Sequence, residues 1–204
     1  MRVVSPSEEL AYFREASQPL RDIATIIIQT GMRPEEVFRL EVRHLDFDRS
    51  TIFNPFGKTK TAKRLIPMTH DVHELLKRRV ACQESQWIFY SPAGPGRPAH
   101  FEKHIGSVRK AHDAAVARAG IADVFRLYDL RHTYATRAAE AGVDVLTLAA
   151  LLGHKMVQMT MRYVHPTDAH KVEATKKLEM YNAQAVMKLA RETSRVATIL
   201  ATVN

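Results

Sequence analysis

One cysteine, Cys82, is all the thiol the chain has, so it can close no internal disulfide and build no cysteine-based zinc site. No apolar run approaches the length that spans a bilayer, and the Met-Arg-Val-Val-Ser-Pro start lacks the apolar centre of a secretory signal. Together these absences predict a soluble, cytoplasmic protein. A repeat of roughly 20–50 residues and low-complexity tracts are missing too, which excludes a solenoid and a disordered spacer. Acidic residues are in deficit: 22 Asp and Glu stand against 30 Lys and Arg, giving a formal charge of +8 and a pI near 9.7, with ten histidines besides. An anionic partner follows, either nucleic acid or an acidic surface. What is present is enough for a core, because 46% of the 204 residues are hydrophobic. We expect one domain over residues 1–177 and a C-terminal helical tail over 178–204.

Local signals divide the chain. Ser5-Pro6-Ser7-Glu8 is a capping box with proline at the first helical position, opening a helix toward Ala16. A second helix from about Pro19 carries Ile23, Ile26, Ile27 and Ile28 and stops at Thr30-Gly31. Arg33 then lies on a tight corner before a short helix opened by Pro34-Glu35-Glu36. Phe47, Thr51-Ile52-Phe53 and Arg64-Leu65-Ile66-Pro67 read as short strands of an antiparallel sheet. Thr69 caps a helix over His73 to Val80, and Ser91 to Pro98 is a loop. Helical spacing over Phe101 to Ala119 predicts one continuous helix. Two more follow over Tyr128 to Ala141 and Asp144 to Leu152, so that His154 falls just past a helix end capped by Gly153. The fold class is mixed, mainly α-helical with a small antiparallel β-sheet. From Leu178 onward, Leu178, Val186, Leu189, Val196, Ile199 and Leu200 outline an amphipathic tail.

Four segments set cations or proton donors at corners and loops: Thr30-Gly31-Met32-Arg33, Gly57-Lys58-Thr59-Lys60, Asp129-Leu130-Arg131-His132 and Leu152-Gly153-His154. Phosphoryl transfer needs such a set, because its in-line transition state spreads negative charge over oxygens that forked arginine donors match. Two arginines and a histidine can clamp a phosphate without a metal. A lysine on a hairpin can protonate a departing alkoxide, and Tyr163 offers a reversible nucleophile.

These boxes, in this order, resemble the catalytic domain of the tyrosine recombinases, the phage integrase family. Thr30-Gly31-Met32-Arg33-Pro34-Glu35-Glu36 matches its first arginine box and Tyr128-Asp129-Leu130-Arg131-His132-Thr133 its second. Leu152-Gly153-His154 matches its Leu-Gly-His, and Tyr163 stands nine residues beyond, as the family's tyrosine does. The resemblance implies that Tyr163 attacks a DNA phosphodiester to give a 3′-phosphotyrosyl link, with Arg33, Arg131 and His154 stabilising the transition state and no cofactor. Lys58, followed by Thr59 as in the family's Lys-Thr pair, is preferred as the general acid, and Lys60 is the alternative. It further implies double-stranded DNA as partner, assembly as a homo-tetramer on DNA, and a tail that docks on a neighbour. A strand-relaxing type IB topoisomerase and an inactive DNA-binding remnant are the alternatives.

The chain departs from the pattern in two places. Where the second box usually begins with histidine it has Tyr128, which would bind or orient the phosphate as a hydroxyl donor, leaving proton removal slower or to another histidine. The motifs also begin almost at once, which predicts an excised or truncated catalytic domain. Glu36 is expected to buttress Arg33. His132, beside Arg131 on one helix, is expected to face elsewhere as a packing residue. His165 and His170 lack the carboxylate or thiol of a metal site. Lys63, Arg64, Arg97, Arg126, Arg137, Lys155 and Arg162 are expected to contact neighbouring phosphates.

Overall fold

A computed structural model describes residues 1–57, 62–82, 85–91, 98–164 and 168–202, and divides the chain into two units, Met1–Val164 and His165–Asn204. In the first unit α1 (Pro6–Glu15) begins as its capping box requires. The Glu8 N–H donates to Ser5 Oγ at 3.3 Å and the Ser5 N–H to Glu8 Oε2 at 2.9 Å. The apolar helix α2 (Leu20–Thr30) buries Ile23, Ile26 and Ile27 completely and packs against α6 (Asp129–Glu140). It ends at Gly31, where φ is +68° and a Cβ would collide with the ring of Tyr134. Backbone conformation and the approach of α6 therefore both demand glycine. The chain turns through Arg33, extended at the N-cap, into α3 (Pro34–Phe38).

After a 3₁₀ turn at Val42–His44 come β1 (Leu45–Asp46), β2 (Thr51–Asn54) and β3 (Arg64–Pro67), an antiparallel sheet in the order β1-β2-β3. The register pairs Ile52 with Ile66 and Asn54 with Arg64. Strand alternation turns Arg64 and Ile66 inward and leaves Leu65 exposed. The β2–β3 connection, with Lys58 and Lys60, lies partly outside the described residues, as does most of the expected loop at Ser91 to Pro98. Thr69 caps α4 (His70–Ala81) through the Val72 N–H.

The continuous helix expected over Phe101 to Ala119 is two elements. Its first part is β5 (His100–His104), antiparallel to β4 (Tyr90–Ser91), and only Arg109–Arg118 forms α5. The Phe101 ring sits 4.8 Å from that of Tyr90, and the Ile105 N–H donates to Phe89 O at 2.7 Å. These long-range contacts take over a segment whose spacing is also compatible with a helix. Helical packing starts beyond Gly106-Ser107, with Val108 and Ala115 buried.

Asp144 accepts from the Leu146 and Thr147 N–H groups to start α7 (Val145–Leu152), which ends on left-handed Gly153. A short α8 (Gln158–Met161), not foreseen from the sequence, leads to Tyr163. The main core gathers α1 to α5 and the sheet. A smaller cluster of Ala135, Leu148, Leu152 and Tyr163 joins α6 and α7. The second unit contains α9 (Asp168–Thr202), on which Leu178, Val186 and Leu189 are exposed. Among the described residues no helix is long and apolar enough to cross a membrane.

Candidate active site

Arg131 is the largest fully buried side chain among the described residues, and it ties two helix ends together. Its Nη1 donates to Gly31 O at 2.5 Å and its Nη2 to Leu152 O at 2.7 Å, capping carbonyls at the C-termini of α2 and α7. The same Nη2 lies 3.2 Å from His154 Nε2. Arginine can only donate, so Nε2 accepts, and the imidazole proton sits on Nδ1, facing Thr160 Oγ1 at 2.7 Å. Burial first, then the charges of Arg131 and Arg33, pull the His154 pKa down to about 4, which leaves it neutral at pH 7. Burial and then Arg33 lower Arg131 to about 10, still cationic. Arg131 Nε has no partner among the described residues. His154 was expected as a donor to phosphate; in this state it is an acceptor, because the nearest cation already occupies its free lone pair.

Beside this pair stands a knot around Glu36, whose carboxylate is 6% exposed. Glu36 Oε1 accepts from Arg33 Nη1 at 2.8 Å, and Oε2 from the Arg33 N–H at 2.9 Å, as the buttress expected for Arg33. It also accepts from Arg64 Nη2 at 3.0 Å, Arg64 Nη1 at 3.2 Å and Asn54 Nδ2 at 3.2 Å. Burial raises the Glu36 pKa, but the two arginines outweigh it and the net shift is downward. Arg64, expected on a neighbouring phosphate, is instead buried, with Nε donating to Leu151 O at 2.7 Å. On the inward face of β3 its guanidinium is taken up by Glu36, Leu151 O and Ala62 O.

Tyr163 is 4% exposed. Its ring stacks with that of His154 at 6.5 Å and 14°, and lies 5.8 Å from that of His132. The hydroxyl is 2.7 Å from His132 Nδ1. Burial raises the phenol pKa, opposed by Arg131. His132 therefore does not face away as expected. It shares a helix face with Tyr128 four residues earlier, the two rings being 5.1 Å apart. That i, i+4 relation was the signal in the sequence: a residue four beyond the position where the family carries its histidine points the same way.

The remaining cations separate. Lys63, Lys155, Arg162 and Arg126 are exposed, Arg126 within 3.6 Å of Asp129. Lys155, Arg33 and Arg39 border a cleft of about 370 Å³ with Phe56 and Gly153; Arg39 was not anticipated. Arg137 is engaged elsewhere, pairing Glu9 at 2.6 Å and donating to Val4 O at 3.1 Å, so it clamps α6 to the N-terminal segment. Lys58, Lys60, Arg97 and His165 lie outside the described residues, as does the side chain of His170. Among the described residues no cluster of His, Cys, Asp and Glu is arranged to hold a metal.

Helices around a three-stranded antiparallel sheet, with this order of boxes, make a catalytic domain of the tyrosine recombinase fold. The chain belongs to the phage integrase family, whose model matches residues 7–170. It is 25% identical over 206 residues to the integrase of Salmonella phage P22, covering 97% of this chain and 52% of that one. Similar structures include the integrase of transposon Tn1549, solved with circular intermediate DNA, at TM-score 0.69 and 19% identity over 87% of this chain and 67% of that one. The catalytic domain of bacteriophage HP1 integrase aligns at TM-score 0.61 and 23% identity, over 86% of this chain and 94% of that domain. The chain spans about half the length of the phage P22 relative.

Proposed function

We propose that the chain is the catalytic domain of a site-specific DNA recombinase or integrase that cuts and rejoins strands through Tyr163. The observation that carries this reading is the meeting of Arg131, His154 and Tyr163 at the ends of α2 and α7. Arg131 lies 3.2 Å from His154, whose ring stacks on the tyrosine. Tyr163 Oη attacks the phosphorus of a DNA phosphodiester, forming a 3′-phosphotyrosyl ester and releasing the 5′-oxygen. Arg131 and Arg33 hold the non-bridging oxygens, the electrostatic contribution that is usually largest in such sites. Lys58 or Lys60 on the β2–β3 connection protonates the leaving 5′-oxygen. The 5′-hydroxyl of another strand reverses the step, so neither metal nor nucleotide is required. Tyr128 orients the phosphate as a hydroxyl donor.

Tyr163 is 4% exposed, and DNA docking uncovers its hydroxyl toward the phosphate while leaving it within reach of His132. Lys63, Lys155, Arg162 and Arg126 then line the duplex, joined by Arg39. The partner is double-stranded DNA, met as a homo-tetramer in which apolar positions of α9 dock on a neighbouring subunit. The test is incubation with a nicked suicide duplex at low salt. A denaturant-resistant protein–DNA complex should form and be lost in Tyr163→Phe, and affinity should fall steeply as salt rises. Tight binding without a covalent complex identifies an inactive DNA-binding remnant; relaxation of supercoils without strand exchange identifies a topoisomerase.

A further inference from the structure

We infer that His132 takes the proton from Tyr163 as it attacks, filling the role left open by Tyr128 in the second arginine box. This rests on Tyr163 being the nucleophile. His132 Nδ1 and Tyr163 Oη are 2.7 Å apart, within direct proton-transfer reach. With Nδ1 accepting, the imidazole carries its own proton on Nε2. The other candidates near the phenol are spoken for. His154 Nε2 accepts from Arg131, its Nδ1 faces Thr160, and its ring centroid is 6.5 Å from that of the tyrosine, whose hydroxyl meets His132 instead. Tyr128 is itself a phenol, a weak proton acceptor in its neutral form, and its ring packs edge-on against His132, holding the imidazole in place.

The surroundings of His132 leave the imidazole unprotonated, and so free to accept, at neutral pH. Burial lowers its pKa, and Arg131 and Arg162 act in the same direction, while Asp129, one helical turn earlier, opposes them. The step balances. As the Tyr163 Oη–phosphorus bond forms, the phenolic proton moves to His132 Nδ1. The phosphorus–O5′ bond breaks, and the 5′-oxygen leaves with its electron pair, taking a proton from the hairpin lysine. On rejoining, the incoming 5′-hydroxyl gives its proton back to the hairpin lysine as its oxygen attacks phosphorus, and the Tyr163 oxygen departs with the proton that His132 returns.

The experiment follows covalent-complex formation by the 204-residue chain on a nicked suicide duplex at low salt, across roughly pH 5.5 to 9. The unmutated chain should show a rate that rises with pH and levels off below the ordinary imidazole value, as the lowered His132 requires. A limb that climbs toward about pH 10 would mean that the phenol ionises unaided, and would overturn the inference without any mutant having to fold. His132→Gln should bind DNA as tightly as the unmutated chain but react about 100-fold or more slowly, without that limb. Two further readouts exclude a merely structural effect. A 5′-bridging phosphorothiolate, whose thiolate leaves without a proton, should not rescue His132→Gln, because the missing group is the base. Tetrafluorotyrosine at position 163, a far more acidic phenol, should shrink the defect to within tenfold. A His132→Gln rate within threefold of the unmutated chain at every pH, or an unchanged defect with fluorotyrosine, contradicts the inference. Failure of the unmutated chain to form any adduct contradicts instead the assignment of Tyr163.

Discussion

Replacing Glu36 with glutamine tests how the first arginine box is built. The carboxylate receives two N–H groups of Arg64, two of Arg33 and one of Asn54, at 2.8 to 3.2 Å. Its partner Arg64 is 6% exposed at the side chain, so water cannot replace the lost charge. Glutamine keeps one acceptor oxygen and turns an amide N–H₂ toward guanidinium donors, leaving a buried cation without its counter-charge. Removing one partner of such a pair costs about 3–5 kcal/mol. Over a domain of this size each kcal/mol moves the melting temperature by about 2–4 °C, so a fall on the order of 10 °C is expected. The assay is thermal or urea unfolding followed by circular dichroism, with Arg64→Met and the double variant alongside. Because Met leaves no charge to strand, Glu36→Gln should cost much less in the Arg64→Met background than alone. A melting temperature within about 2 °C of the parent, or equal costs in both backgrounds, refutes the view that Glu36 and Arg64 form one buried unit.

Gly153→Ala should destabilise by about 1–3 kcal/mol, since φ is +66° and the new Cβ would lie 2.8 Å from Arg64 Nη1; urea unfolding measures it. Folding stability should fall on acidification. His154 is lowered to about 4 from 6.5, so its contribution is complete above pH 6.5 and is lost as pH drops from there through 4. After allowance for solvent screening this is worth about 1–2 kcal/mol, and His112 and His132, also lowered, act with the same sign. Phosphate or DNA that draws Arg131 away from His154 should raise the imidazole pKa, so binding should take up a proton and tighten between pH 7 and 5. Calorimetry in buffers of different ionisation enthalpy reads that uptake, and its persistence in His154→Gln would contradict the assignment.

The parts of the fold that were legible in the sequence are those fixed by neighbours in the chain. Ser5 with Glu8, Thr69, Asp144, Gly31 and Gly153 announce helix ends through contacts spanning a few residues. The strand at Phe101 was not legible, because its partners, Tyr90 and Phe89, are more than ten residues away and the helical spacing competes. In the site, the arginine boxes, His154 and Tyr163 were readable as motifs, but what each atom faces was not. Strand alternation with Ile66 would have turned Arg64 inward, and helix periodicity with Tyr128 would have turned His132 toward the site. The inversion of His154 from donor to acceptor depends on the C-terminus of α7 meeting Arg131 on α6, which only the packed structure brings together.

The identity of the atom joined to DNA tests the chemistry of the site most directly. The suicide-substrate complex should be digested with protease and nuclease and its adduct mapped by mass spectrometry. The prediction is a nucleotide joined through its 3′-phosphate to the hydroxyl of Tyr163, with a free 5′-hydroxyl on the released strand. An adduct on another residue, or a 5′-phosphoryl linkage, would contradict it.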